Sequence, residues 1–273
     1  MMEKYSVLMS VYAKEKPDYL RLAINSMISQ TIQPDEIIIV EDGPLNSELY
    51  DVINEFKKNY EFLFTIVINE KNLGLGLALN NGLSIARNDL VARMDTDDIS
   101  KPDRCEKQLK IFEQDSTLSI VGSWVDEFSI SPDDVVSIRK VPEKNNEIYS
   151  FAKRRNAFNH PSVMYRKHSI IDLGGYSDLK RAQDLDLFGR MLFKGYKAYN
   201  IQESLLLFRI SDNGTKRKKS WAGTKNYIKI IKNFWKMGYS SFFDYIYVFF
   251  IQIMVFCLPI RVQKFITRKF LRG

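Results

Sequence analysis

Residues 36–40 read Glu36-Ile37-Ile38-Ile39-Val40, and this stretch decides the fold class. A nearly continuous run of β-branched residues is typical of a strand that is covered on both faces. Short apolar runs on either side of it alternate with segments of helical periodicity. The predicted order is strand Tyr5–Ser10, helix Pro17–Gln30, strand Glu36–Val40, helix Ser47–Tyr60 with Ser47 as its cap, strand Phe64–Asn69, helix Leu77–Ala86 and strand Leu90–Met94. This alternation indicates βαβ units and a parallel sheet.

The alternation is less regular after residue 101. The pattern there predicts a helix over Pro102–Gln114, a strand over Leu118–Val125, a hairpin over 126–139, an apolar run over 162–165 and a helix over Leu185–Phe193. The expected fold class is therefore α/β, with a mostly parallel central sheet and helices on both faces, over residues 1–213.

Charge divides the chain into two parts. The 273 residues are 45% hydrophobic and 27% charged, which excludes disordered and fibrous classes, and the net charge is +7. Residues 214–273 hold 13 basic residues and a single acid, Asp244, for a net of +12, which leaves −5 for residues 1–213. We expect an acidic globular body and a basic tail.

The tail contains an uncharged segment of 16 residues, 245–260, between basic flanks at 216–219 and from Arg261 onward. A spanning helix needs roughly 20 apolar residues. The flanks favour a helix that lies in the membrane interface, since lysine and arginine are attracted to anionic lipids. A spanning or re-entrant helix and an ordinary core helix are the alternatives.

Two further features concern the compartment. Cys105 and Cys257 lie far apart, so the cysteines form neither a disulfide framework nor a zinc motif. The first residues show no secretory signal pattern. We expect a reducing, cytoplasmic environment.

Polar residues follow each of the first four predicted strands. Ligands of open parallel sheets bind beyond the carboxyl ends of the strands, so these residues are expected to share one rim. They are Ser10-Val11-Tyr12, Glu41-Asp42-Gly43, the segment from Asn69 to Gly74, and Arg93-Met94-Asp95-Thr96-Asp97-Asp98.

The segment Asp95-Thr96-Asp97-Asp98 is the sharpest of these signals. Three carboxylates in four positions repel one another unless a cation neutralises them. A hard divalent ion held by one or two carboxylates keeps positions open for substrate phosphates. The alternative is a solvated turn that caps the helix at Pro102.

Other polar groups allow two interpretations each. Gly74 and Gly76 suggest a dinucleotide fingerprint, but Leu79 stands where the third glycine belongs, so a tight turn beside a ligand is favoured. Asp184 is either a helix cap or a general base. His160 is structural or catalytic, and Arg209 binds a phosphate or a surface acid.

Six motifs in order resemble the inverting family 2 glycosyltransferases of the GT-A fold. They are SVLMSVY at 6–12, IIIVEDG at 37–43, NLGL at 72–75, ARMDTDD at 92–98, HPSVMYRK at 160–167 and AQDLDL at 182–187. The sequence departs from the family pattern at Glu41, Gln183 and Ser211, where aspartate, glutamate and histidine are common. The missing histidine removes one candidate metal ligand.

The resemblance implies a role for each matching residue. Asp184 is the implied catalytic base, and Asp97 with Asp95 is the implied site for Mn²⁺ or Mg²⁺. Sugar or acceptor contacts are implied for His160, Asp186 and Arg209. The implied nucleotide-sugar contacts are Ser10, Val11, Tyr12, Asp42, Asn72, Gly74, Arg93, Asp95 and Thr96.

The implied reaction moves a hexose from UDP-galactose, UDP-glucose or a UDP-N-acetylhexosamine to a lipid-diphosphate-linked oligosaccharide of a surface polysaccharide. We expect this reaction at the cytoplasmic face of the cell membrane, with the tail on the membrane surface and no nucleic-acid partner. A nucleotide-sugar-forming nucleotidyltransferase is less favoured, since residues 12–16 lack a glycine-rich phosphate loop. A nucleic-acid binder is less favoured because the tail aromatics cluster in an uncharged run.

Overall fold

A computed structural model describes residues 3–210, 220–259 and 262–263 of the chain. In these residues nine strands form one mixed sheet, in the order β3-β2-β1-β4-β8-β6-β9-β5, with β7 paired to β6. The strands are β1 Tyr5–Val11, β2 Glu36–Asp42, β3 Phe64–Asn69, β4 Leu90–Arg93, β5 Ile99–Ser100, β6 Leu118–Phe128, β7 Val135–Arg139, β8 Met164–Arg166 and β9 Lys197–Arg209. The predicted α/β class is confirmed.

Helices surround this sheet. The described helices are α1 Pro17–Ile28, α2 Ser47–Asn59, α3 Leu75–Ile85, α4 Arg104–Gln114, α5 Asn145–Ala152, α6 Lys167–Ile171, α7 Gln183–Phe193, α8 Trp221–Lys236 and α9 Phe242–Cys257, with a 3₁₀ turn at His160–Ser162. Each predicted helix is present, with ends shifted by a few residues.

Strands β1 to β4 pair in parallel, as the βαβ pattern predicts. All seven residues of β2 are buried. Ile37 and Ile39 belong to one hydrophobic cluster and Ile38 and Val40 to the other, so alternate residues of one strand fill the cores on both faces. Beyond β4 the sheet is mixed, because β8 pairs antiparallel with both β4 and β6.

Three local predictions need correction. Asn46, not Ser47, caps α2, and its side chain accepts a hydrogen bond from the Leu49 amide at 2.9 Å. Helix α4 begins at Arg104, two residues after the predicted start. Asp184 is neither in a loop nor a cap, since it lies in the first turn of α7, which Ala182 precedes in a left-handed conformation with φ of 59°.

Helices α8 and α9 pack against the body of the protein. Ile230, Ile231 and Phe234 of α8 belong to the same buried cluster as Leu8 of β1. Asp244 of α9 forms an ion pair with Arg154, which follows α5. No described helix has the length and hydropathy needed to cross a bilayer. The basic flanks are expected at 216–219 and from Arg261 onward. Their basic residues lie outside the part of the chain that the structure describes, which includes only Val262 and Gln263 of these segments.

Candidate active site

Three acids lie together where the chain leaves β4. Carboxylate oxygens of Asp95, Asp97 and Asp98 all lie within 4.8 Å of one another. Burial, followed by repulsion from Asp95 and Glu15, raises the pKa of Asp97 to about 7. Burial and the two neighbouring aspartates raise the pKa of Asp98 as well. Hard oxygen donors that repel one another fit a divalent cation such as Mn²⁺ or Mg²⁺.

Arg209, the last residue of β9, forms hydrogen bonds with two residues of this acid cluster. Its backbone N–H donates to Asp98 Oδ1 and its Nε–H donates to the carbonyl oxygen of Asp97, both at 2.8 Å. The guanidinium lies between two rings, 3.8 Å from the centroid of Tyr19 and 4.5 Å from that of Phe128. Arg209 therefore contacts the cluster through its backbone N–H and its Nε–H, and cation–π contacts hold its guanidinium.

Arg93 lies under the acid cluster with no exposed surface. Its Nη2 is 2.5 Å from Asp95 Oδ1, yet no guanidinium nitrogen makes a hydrogen bond of acceptable geometry to a described residue. A buried guanidinium with unused donors is costly unless a partner satisfies them. The two observations together indicate a cation that neutralises Asp95 and has donors left for a ligand.

Thr96 makes a contact that the sequence did not indicate. Its hydroxyl donates to Glu15 Oε2 at 2.7 Å, which ties the acid cluster to the loop after β1. The amide of Glu15 donates in turn to the carbonyl oxygen of Tyr12 at 3.0 Å. The predicted nucleotide contacts Tyr12 and Thr96 are thus joined through Glu15.

Asp42 organises the loop between β3 and α3. Its Oδ1 accepts the amide of Leu73 at 2.8 Å, and its Oδ2 accepts the amide of Gly74 at 3.0 Å. The side chain of Asn72 donates to the backbone oxygen of Asp42 at 3.1 Å. Gly74 has φ of 88°, a conformation that favours glycine at the start of α3. Three predicted contacts, Asp42, Asn72 and Gly74, therefore form one unit.

The predicted contacts Ser10 and Val11 lie at the end of β1, beside Val40 and Glu41 of β2 in the sheet register. They share the carboxyl rim of the sheet with Asp42 and Asp95. This is the arrangement expected from parallel strands.

Asp184 lies in the first turn of α7, where its Oδ2 accepts a hydrogen bond from Asn156 Nδ2 at 2.6 Å. Burial raises the pKa of Asp184, while the backbone amide of Leu185 and the charges of Arg139 and Arg93 oppose the rise. A buried carboxylate whose pKa is raised towards the working pH is of the kind that serves as a general base.

His160 and Asp186 have protein partners. His160 Nε2 is 2.9 Å from the Tyr176 hydroxyl, and burial together with Arg93 holds the pKa of His160 well below its usual range, so the imidazole is neutral. Asp186 accepts a hydrogen bond from Arg190 Nε at 2.9 Å within α7. Arg190 also donates to the backbone oxygens of Leu173 and Gly175. Asp186 thus supports the turn before α7, and its predicted substrate contact stays a prediction.

The site contains acids at the β4 rim, a buried arginine below them and a carboxylate on a nearby helix. These residues belong to the sequence motifs and follow their order along the chain. The model of the family described as "Glycosyl transferase family 2" matches residues 6–174. The chain belongs to this family.

Two bacterial relatives of this family 2 glycosyltransferase have descriptive names. The Escherichia coli "UDP-Gal:alpha-D-GlcNAc-diphosphoundecaprenol beta-1,3-galactosyltransferase" is 37% identical over 98% of the chain and 97% of its own length. The Erwinia amylovora "Amylovoran biosynthesis glycosyltransferase AmsE" is 33% identical over 98% of the chain and its own full length.

The solved structure titled "GalNAc-T7 with UDP, GalNAc and Mn2+" shares the fold of this glycosyltransferase with a TM-score of 0.69 at 15% identity. The alignment covers 97% of the chain and about half, 54%, of that structure. This likeness identifies the α/β sheet as a GT-A fold.

Sequence reasoning missed several residues that this glycosyltransferase brings to the rim. Glu15, Asn156 and Tyr176 each contact a predicted site residue from a distant part of the chain. Glu15 lies three residues after Tyr12, in a loop that the motif already marked, so its acidic side chain was the available signal. Asn156 carried no signal, since it follows α5 in an unremarkable polar turn.

Proposed function

We propose that this family 2 glycosyltransferase is an inverting, metal-dependent hexosyltransferase. It moves a hexose from a UDP-sugar to a hydroxyl of a lipid-diphosphate-linked saccharide during surface polysaccharide synthesis. UDP-galactose heads the donors because the E. coli relative is named for it, followed by UDP-glucose and the UDP-N-acetylhexosamines. The lipid-diphosphate acceptor follows the name of the E. coli relative, and the polysaccharide role follows the name of the amylovoran relative.

One observation carries the proposal. Arg93 interacts electrostatically with Asp95, Asp97 and Asp184, so the acid cluster and the candidate base face one buried cation. In this proposal the diphosphate binds at the acid cluster, and its sugar lies on the side of Asp184. The donor-binding residues we propose are Ser10, Val11, Tyr12, Asp42, Asn72, Gly74, Arg93, Asp95 and Thr96.

We propose Asp97 and Asp95 as the metal ligands, with the carboxylate of Asp98 close enough to join them. A divalent cation bound there supplies positive charge that stabilises a departing diphosphate. Arg209 keeps the carboxylate of Asp98 and the backbone of Asp97 in place through its two hydrogen bonds.

Asp184 acts as the base in this proposal. Its carboxylate takes the proton of the acceptor hydroxyl as that oxygen bonds to the anomeric carbon. The bond between the anomeric carbon and the diphosphate oxygen breaks with its electron pair, and UDP leaves. Attack from the opposite face inverts the anomeric configuration. Asn156 holds Asp184 in its orientation, and the neutral His160 contacts the sugar or the acceptor.

Asp184→Asn tests the base. With UDP-galactose, Mn²⁺ and a GlcNAc-diphosphate-lipid acceptor, we expect UDP release to fall by roughly 10²–10⁴-fold, because general bases contribute about that much. Asp178→Asn is the matched control, an exposed aspartate in the loop before α7, and it should keep wild-type turnover. Turnover of the Asp184 variant within about threefold of wild type would exclude the base role. No UDP release in this mixture, together with release of pyrophosphate from UTP and galactose 1-phosphate, would indicate a nucleotidyltransferase.

We also propose the location and the division of labour. Residues 1–213 carry catalysis and residues 214–273 associate with the cytoplasmic face of the membrane, with no nucleic-acid partner. The +12 charge of the tail and the lipid-linked acceptor named for the E. coli relative support this placement.

A further inference from the structure

We propose that one face of α9 docks on an anionic lipid bilayer. This lipid-docking face consists of Phe243, Tyr247, Phe250 and Met254. The inference deepens the proposed membrane association and rests on it, because it names the surface that performs it and the headgroup charge that it prefers.

The lipid-docking face is a single continuous stripe. Its members are spaced by four, three and four residues, so they share one side of the helix. They are between 50% and 82% exposed. The other side of α9 contacts the protein through the buried residues Asp244 and Val248. A large apolar stripe without a charge marks an interaction surface, since soluble monomers rarely expose one.

Helix α8 supplies positive charge beside this face. The two helices form a hairpin, because Trp235 near the end of α8 contacts Phe242 at 5.3 Å and Trp221 at its start contacts Phe256 at 5.3 Å, between ring centroids. Helix α8 has no acidic residue. Its exposed cations are Lys225, Lys229, Lys232 and Lys236.

This charge pattern favours lipid over a second copy of the chain. The one acid of α9, Asp244, is buried and paired with Arg154. Two copies joined through the stripe would bring two lysine-rich helices close together, where like charges repel. An anionic leaflet would attract the same lysines. The sequence adds five more basic residues after Ile260.

Aromatic residues at the ends of the hairpin fit the same surface. Trp221 is about half exposed and lies beside Phe256 near the end of α9. Tryptophan and tyrosine favour the boundary between headgroups and acyl chains, since one part of the ring is polar.

The hairpin that carries the lipid-docking face is attached to the turn beside the base. Arg154 accepts a hydrogen bond from Tyr227 of α8 at its backbone oxygen, at 2.9 Å, and pairs with Asp244 of α9. Two residues later, Asn156 donates to Asp184. A helix that docks on lipid is therefore connected by direct contacts to the residue that holds the base.

Vesicle flotation with the full chain tests the proposal. We expect the wild type to float with vesicles of phosphatidylglycerol and phosphatidylethanolamine, and much less with phosphatidylcholine alone. Phe243→Ser/Phe250→Ser should weaken binding to the anionic vesicles at least about tenfold, because two large apolar side chains lose their burial in lipid. The matched control is Phe62→Ser/Ile130→Ser, at sites 89% and 87% exposed but outside the hairpin, and it should bind as the wild type does.

A second variant, Tyr247→Glu/Met254→Glu, should show the same loss of binding. It keeps the test valid if the first variant misfolds, and thermal melting of both variants checks their folding. Lys225→Gln/Lys229→Gln/Lys232→Gln should weaken the preference for anionic vesicles, because ten of the thirteen basic residues of the tail remain. Unchanged flotation of both stripe variants, equal wild-type binding to neutral vesicles, or a wild-type dimer that the stripe variants dissociate would each overturn the proposal.

Activity separates this inference from the proposed function. With a GlcNAc-diphosphate acceptor on a short, water-soluble alkyl chain, the stripe variants should release UDP at the wild-type rate. Flotation without any UDP release by the wild type would contradict the proposed function and leave docking supported. UDP release without flotation would contradict docking alone.

Discussion

Asp184 depends on a residue 28 positions earlier in the chain. Burial raises the pKa of its carboxyl, and the Asn156 amide at 2.6 Å donates to it. A donor to the charged form stabilises the carboxylate and opposes the effect of burial. At the scale of one residue, burial raises the pKa of the base, and the Asn156 hydrogen bond joins the Leu185 amide and the charges of Arg139 and Arg93 in opposing that rise.

Asn156→Ala should therefore shift the acid limb of kcat/KM to higher pH. The base is active only when ionised, so activity is lost as pH falls through its pKa, and removing the donor raises that pKa further. A hydrogen bond to a charged group is worth about 1.5–3 kcal/mol, which corresponds to roughly one to two pH units. Asn146→Ala on α5, at an exposed position, is the control for loss of an asparagine side chain. An unmoved acid limb would show that Asn156 does not hold the base.

Arg209 shows how far a residue could be understood from the sequence. Its position after an apolar run suggested a phosphate clamp or a surface ion pair. The structure instead gives its N–H groups to Asp98 and to the backbone of Asp97, between the rings of Tyr19 and Phe128. Those partners come from three distant segments, so no local pattern could name them.

At the scale of elements, α7 and α8 are fitted to each other through a glycine. A Cβ at Gly189 of α7 would lie 2.0 Å from Phe234 Cζ of α8. Phe234 is itself buried in the hydrophobic cluster that also contains Leu8. Helix α7 carries the candidate base. Helix α8 can therefore approach it this closely because residue 189 has no side chain.

Gly189→Ala should lower the free energy of unfolding by about 1–3 kcal/mol, since overpacking a close helix contact forces side chains to move. Helix propensity alone predicts the opposite sign, because alanine is the better helix former. Urea unfolding measures the difference. Phe234→Leu in the same chain should restore part of the loss, and a stabilised Gly189→Ala protein would contradict this packing.

The whole molecule combines an acidic body with a basic, apolar hairpin. The net charges of −5 and +12 describe two surfaces, yet Ile230, Ile231 and Phe234 of the hairpin complete a core that begins at β1. The proposed catalytic body and membrane-associating tail thus have different tasks. They nevertheless share one hydrophobic core.

A chain that ends at residue 213 should consequently unfold at lower urea concentration than the full chain and aggregate, because it exposes the apolar surface that α8 covers. A chain that ends at residue 259 keeps both helices and should retain the full-length midpoint. Size-exclusion chromatography and urea unfolding of the two chains make the comparison. Equal stability of the shorter chain would show that the body folds without the hairpin.

The sequence by itself determined the α/β class, the order of strands and helices from β1 to β4, and the acids at the carboxyl rim. These depend on local periodicity and on the rule that parallel strands end at a common edge. Only the tertiary structure decided that β8 lies between β4 and β6, that Asn156 and Glu15 contact the candidate site residues, and that α8 enters the core. The physical reason is separation along the chain, because such contacts form between segments whose own patterns say nothing about each other.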